Sequence, residues 1–377
     1  MPEQTTPNKA GLITALTGMR GYAALWVALS HFSFTGTLSQ PFGMRIHWGM
    51  MEGILRHEYL AVDLFFMLSG FVLMHVHGHE FQQRITPDTH KNFLLLRLAR
   101  IYPLHLLSLL FMLALQLVDT EIDGLRTPFS FVTQLLLVAS WGINYTLSWN
   151  LPSWSLSSEW LGYLLFPFMA ITANKIRHPI GQFVGIGFIF FAFYWLMFRS
   201  NIHMNYSNGA GATVRVLCGM GVGVLLQRLH DTPYISRATW TLMFWLAMPL
   251  ALATMTDLDG KRLKESVWAV VMMAALLITA SRAQGWLMLP LTHRAAVYLG
   301  EISYAIYILH YPVFRFLRWI GTTHYTIAAE YGSMTEVYIL SLGTFGFLIG
   351  CAALAHHTIE KPVRRWVKQR IESRQSF

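Results

Sequence analysis

Hydrophobic runs of close to 20 residues recur along the whole chain, separated by short polar breaks. Each such run is long enough to cross a bilayer as a helix. Ten spans fit the pattern: 12–36, 59–79, 93–118, 158–174, 181–199, 210–228, 237–255, 265–282, 295–318 and 335–357. An eleventh apolar stretch, 129–145, is shorter and bordered by Trp141, Asn144 and Trp149, which points to an interfacial or re-entrant helix. The expected fold is therefore an all-α integral membrane protein of about ten transmembrane helices in one bundle. It divides into an N-terminal segment 1–11, the bundle 12–357 and a basic tail 358–377.

Within the first span, LITALTGMRGYAALWVALSHFSF, Arg20 and His31 are the strongly polar side chains. Eleven residues make about three helical turns, so the two share a face and stand roughly 16 Å apart along the axis. Ionisable groups inside a membrane are costly and mark functional paths. Separately, each could snorkel to an interface; as a pair on one face they point to a site.

Composition agrees with the pattern: 54% of residues are hydrophobic and 12% charged, about half the charge of an ordinary globular domain. The net charge of +9 lies in short loops and the tail rather than on one face, which fits anionic lipid headgroups and not nucleic acid. Met1–Gly11 is polar and no small-residue cleavage site follows the first apolar run, so that run is expected to remain as a span. The two cysteines, Cys218 and Cys351, both fall in apolar runs and offer no disulfide framework or metal site. With ten spans both termini lie on the side of Arg84, Lys91, Lys175, Arg177, Arg228, Arg237, Arg282, Arg294 and the tail. Arg45, Arg56, Arg126, Lys261, Arg262 and Lys264 lie on the other. The positive-inside rule makes the first side cytoplasmic. The long segment 119–157, with Asp119, Glu121, Asp123 and three tryptophans, is expected to fold over the outer mouth.

Heights along the spans sort the polar groups into two ends. Arg20 sits about 12 Å above the inner end of its helix, and Arg97 and Arg100 fall in the first turns of span three. His31, Asp63, Glu159 and His310, the last about 22 Å up span nine, gather in the outer half, with Ser69-Gly70 near mid-depth. Guanidinium forks suit a phosphate-bearing ligand, and a histidine with a carboxylate suits proton transfer. Structural readings stand beside these. Arg97 and Arg100 could be topological anchors, Asp63 a helix cap, Glu159 a partner of a helix N-terminus, His310 a core histidine bonded to a tyrosine, and Ser69-Gly70 a close helix contact.

Five stretches, in order, resemble the membrane acyltransferase-3 family. They are LTGMRGYAALWVALSHF with its Arg-x10-His pair, DLFFMLSGF from Asp63, RLARIYP from Arg97, WSLSSE from Trp154, and GEISYAIYILHYP from Gly300, with Glu360-Lys361-Pro362 closing the last span. The resemblance implies a stand-alone bundle, without a fused hydrolase-like domain, in the bacterial inner membrane. It implies essential roles for Arg20 and His31, and places Arg97 and Arg100 on the acyl-CoA path.

The expected function is transfer of an acyl group, acetyl by default, from cytoplasmic acyl-CoA to a hydroxyl of an extracytoplasmic or lipid-linked glycan. His31 is the candidate general base or transient acyl carrier, with Glu159 orienting the imidazole. His310, Asp63, Ser69, Tyr304 and Trp154 are candidates for acceptor contact or support. Acyl-CoA is a co-substrate; no tightly bound cofactor or metal is expected, since only the outer two histidines of HVHGH share a helix face and they sit at a cytoplasmic helix end. Membrane lipids and a glycan or glycolipid acceptor are the expected partners. The rival expectation is a transporter or flippase for an anionic lipid-linked substrate, which the lack of internal repeats disfavours.

Overall fold

The computed structural model describes residues 9–34, 52–118, 126–143, 148–199, 209–230, 236–255, 266–324 and 334–375. The expected placements of Arg45, Asp119, Glu121, Asp123, Asn144, Lys261, Arg262 and Lys264 lie outside these residues, as does most of the N-terminal segment 1–11. All regular structure among the described residues is helical. Each of the ten expected spans coincides with a helix or a helix pair. By length and composition, five helical stretches among the described residues can cross a bilayer: Tyr59–His77, Pro87–Gln116, Pro179–Met197, Gly209–His230 and Ser341–Arg374.

The helices are α1 (Lys9–Phe34), α2 (Glu52–Arg56), α3 (Tyr59–His77), α4 (Pro87–Gln116), α5 (Pro128–Leu135), α6 (Ser153–Lys175), α7 (Pro179–Arg199) and α8 (Gly209–His230). They continue as α9 (Arg237–Ala253), α10 (Ser266–Arg282), α11 (Leu289–Thr292), α12 (Arg294–Glu301), α13 (Ser303–His324), α14 (Met334–Ala355) and α15 (Lys361–Gln375). Along the centre α8 packs on α3, α6 and α7, while α1 packs on α12 and α13 and α15 lies against α4. Large apolar side chains face outward, Phe188 on α7 being 69% exposed and Leu246 on α9 63%. That inversion of the soluble pattern is what a lipid-facing surface requires.

Three boundaries differ from expectation. Helix α4 begins at Pro87 rather than 93, because the Thr86 hydroxyl accepts from the Thr89 N–H and Pro87 fits the first turn. Arg97 and Arg100 therefore sit about 15–20 Å along the helix and not in its first turns. Helix α6 begins at Ser153, five residues earlier than expected. The expected span 295–318 is two helices, α12 and α13, parted at Ile302, where the Ser303 hydroxyl donates to the Gly300 carbonyl. His310 is thereby about 10 Å into α13, not 22 Å up a single span.

The stretch 129–145 opens with α5, whose Thr127–Ser130 capping box starts an eight-residue helix. Positive φ at Leu137 and Gly142 then turns the chain. About 12 Å of helix falls far short of a bilayer core, in keeping with a non-spanning element. Asn150 ties the following segment inward through bonds from Nδ2 to the Ile308 carbonyl on α13 and to Ser108 on α4.

Backbones meet without side chains between them at several crossings, two of which frame the centre of the bundle. A Cβ on Gly70 of α3 would collide with the Met220 carbonyl of α8, and one on Gly300 of α12 with the Thr17 carbonyl of α1. Ser69-Gly70 is thus a close packing site, and also more than that.

Candidate active site

A cleft of about 50 Å³ opens where Arg20, Ser69, Arg100, Glu159, Tyr304 and Tyr307 converge from five helices. Glu159 reaches it because the early start of α6 carries the residue into the second turn, about 9 Å below the helix start. Ser69 Oγ and Tyr163 Oη both donate to Glu159 Oε1, the latter at 2.6 Å. Tyr304 Oη donates to the Ile101 carbonyl, and Tyr307 Oη pairs with Ser155 Oγ at 2.8 Å. The rim is therefore fixed by hydrogen bonds. Arg20 and Arg100, by contrast, commit no guanidinium N–H to a hydrogen bond or ion pair among the described residues.

The expected partnership of Glu159 with His31 does not form. Its hydrogen bonds go to Ser69 and Tyr163, and its charge acts on Arg20 and Arg97. The carboxylate belongs to the arginine end. His31 instead stacks on His310, with ring centroids 5.0 Å apart and planes 30° apart. His31 Nδ1 lies 3.0 Å from the Val27 carbonyl and His310 Nδ1 2.6 Å from the Tyr307 carbonyl. A carbonyl only accepts, so Nδ1 carries the hydrogen in both rings and, in the neutral form, Nε2 bears the lone pair. His31 is half-buried and His310 fully buried. Tyr307 joins the two regions: it lines the cleft, and its ring packs edge-on to His310 at 5.9 Å. His310 is thus a core histidine bonded to a tyrosine, through the Tyr307 backbone carbonyl.

Arg97 lies beside the cleft rather than in its wall. Its Nη2 donates to His77 Nε2 at 3.3 Å, and His77 Nδ1 donates to Glu80 Oε1 at 2.8 Å. Since guanidinium only donates, His77 must hold its proton on Nδ1, and the chain Glu80–His77–Arg97 aims the arginine.

Asp63 is neither an acceptor contact nor a cap. It is a bidentate partner of Arg215 on α8, which the sequence reading did not single out. Nε to Oδ1 and Nη2 to Oδ2 are both 3.0 Å, and Nη2 also donates to the Tyr59 carbonyl at 2.6 Å. Both side chains are buried. The same guanidinium lies over the Trp154 ring, 5.0 Å from its centroid, at the start of α6. An arginine in the middle of an apolar run was the available signal for this pair.

The bundle, apolar on its exterior, thus holds an arginine-walled cleft beside a histidine pair. The chain's residues 13–356 match the acyltransferase-3 family, described as an acyltransferase domain. The chain belongs to this family and is an acyltransferase of groups other than amino-acyl groups. It is similar to acyltransferase MdmB of Streptomyces mycarofaciens, with 27% identity over 97% of this chain and 95% of that protein. It is 36% identical to protein 2 in the picA locus of Rhizobium radiobacter over 38% of this chain and 75% of that protein. It is 22% identical to a Staphylococcus aureus (strain COL) protein whose name proposes an O-acetyltransferase, over 96% of this chain and 59% of that one. No solved structure matches.

Proposed function

We propose that this protein moves an acetyl group from cytoplasmic acetyl-CoA to a hydroxyl of an extracytoplasmic or lipid-linked glycan, through a bundle of ten spans with both termini cytoplasmic in a bacterial inner membrane. The observation that carries the reading is the pair Arg20 and Arg100, opening on an internal cleft with uncommitted donors. A half-buried, always-charged fork with donors left over suits an anionic visitor. A phosphate-bearing donor on the Arg97–Arg100 side supplies one. Its pantetheine arm then extends past Arg20 toward His31, roughly 16 Å further along α1.

At the other end His31 Nε2 takes the acceptor hydroxyl's proton as the oxygen attacks the thioester carbonyl. The C–S bond breaks, an ester forms, and the CoA thiolate leaves and is protonated. The Val27 carbonyl holds His31 in the tautomer this requires. His310, stacked on His31, restrains its ring plane. Glu159, fixed by Ser69 and Tyr163, supplies the counter-charge that keeps Arg20 in the cleft between turnovers. The S. aureus relative's name favours acetyl and an oxygen acceptor.

The test is transfer of radiolabelled acetyl from acetyl-CoA into envelope glycan by membranes carrying the protein. Label should appear in base-labile ester linkage, and should be absent with His31→Ala membranes. Equal labelling by both would overturn the proposal.

A further inference from the structure

We infer that the C-terminal helix α15 completes the donor's phosphate site, with Arg364 as a third guanidinium beside Arg97 and Arg100; this rests on the acyl-CoA reading above. The tail read from sequence as a basic membrane-surface segment is brought instead against α4, the helix that carries those arginines. A widened helical turn at His356–Glu360 joins α14 to α15. Glu360 fixes that turn: its buried carboxylate takes His356 Nδ1 at 2.9 Å and faces Arg364 Nη1 at 3.5 Å.

The charges so assembled do not balance. Arg364 acts electrostatically on Arg97 and Arg100 on Arg364, while Arg100 also acts on Arg20. Four arginines from α1, α4 and α15 thus face two carboxylates, Glu159 and Glu360, each already hydrogen-bonded or paired. Arg97 Nε is buried with no hydrogen-bond partner. Arg364 is 45% exposed, so a dissolved ligand can reach it. Like charges held together with an unpartnered donor among them fit a ligand with several phosphates, and a nucleotide carrying a diphosphate and a 3′-phosphate has that chemistry. The anion of a lipid headgroup is the other source of phosphate.

The experiment measures binding of acetyl-CoA, 3′,5′-ADP and S-acetylpantetheine to the full-length protein in phosphatidylcholine nanodiscs, repeated with phosphatidylglycerol added. Arg364→Ala should weaken acetyl-CoA and 3′,5′-ADP about five-fold and leave S-acetylpantetheine unchanged in both bilayers. The neighbouring Arg365→Ala should bind like the parent. Parent-like 3′,5′-ADP binding by Arg364→Ala overturns the inference, as does an effect seen only with phosphatidylglycerol, which makes Arg364 a headgroup anchor. A parent protein that binds neither acetyl-CoA nor 3′,5′-ADP overturns the acyl-CoA reading itself.

Discussion

Replacing Asp63 with alanine strips the buried Arg215 guanidinium of its bidentate carboxylate partner. Arg215 then loses two charge-assisted bonds of 3.0 Å and keeps the Tyr59 carbonyl. Arginine cannot shed its proton to escape, and its side chain is fully covered. Breaking a buried pair on one side costs about 3–5 kcal/mol, because the surviving charge stays desolvated. At roughly 2–4 °C per kcal/mol, that lowers the melting temperature by about 10 °C. The damage also spreads, since Trp154 rests on this guanidinium and lies five residues before Glu159 in α6. The measurement is a thermal melt of detergent-solubilised protein followed by size-exclusion chromatography. The double replacement Asp63→Leu with Arg215→Met removes both charges together and should melt several degrees above Asp63→Ala. Asp63→Ala melting within about 2 °C of the parent would refute the assignment of this pair as a buried clamp.

His31→Ala should reduce acetyl transfer by about 10²–10⁴-fold with insertion and melting temperature unchanged, checked by transfer rates at matched protein levels. Arg20→Lys keeps the charge but not the planar fork, and should lose at least about ten-fold in kcat/KM for acetyl-CoA with normal expression; parent-like kinetics would make Arg20 an interfacial anchor. Ser69→Ala leaves Tyr163 on Glu159 and should cost about ten-fold or less in kcat/KM. A loss beyond about 100-fold would instead put Ser69 at the reacting atoms.

Helix positions were legible because apolar runs of bilayer length have few alternatives to helix. What the periodicity did not contain was where each helix starts. Polar capping residues lengthened α4, and α6 began within the Ser-rich stretch 153–158. Those shifts of five and six residues move a side chain by about 8–9 Å in depth, enough to carry Glu159 from the histidines to the arginines. Arg20, His31 and Arg100 stand out in the sequence because each is an ionisable group in an apolar setting. Arg215 carried the same signal. Its pairing with Asp63 is a contact over a separation of 152 residues, which no local pattern encodes. The tail's arginines were recognisable as basic, but their approach to α4 depends on a turn that reads in sequence as the end of a span.

The glycine crossings at Gly70 and Gly300 bear on how anything traverses the bundle. With the Gly70 backbone lying on Met220 and Gly300 on Thr17, neither α3 against α8 nor α12 against α1 has a cushion of side chains to shear. Sliding either pair drives carbonyl into backbone, and separating them exposes peptide groups to lipid. Such seams act as rivets, making the helices a rigid frame. Under the acyl-CoA proposal, passage across the membrane is then left to the parts that pivot freely, the long flexible arm of a thioester and the rotamers of the side chains it meets. The protein in this view crosses nothing by moving itself; it holds still while a small group is handed from one atom to the next.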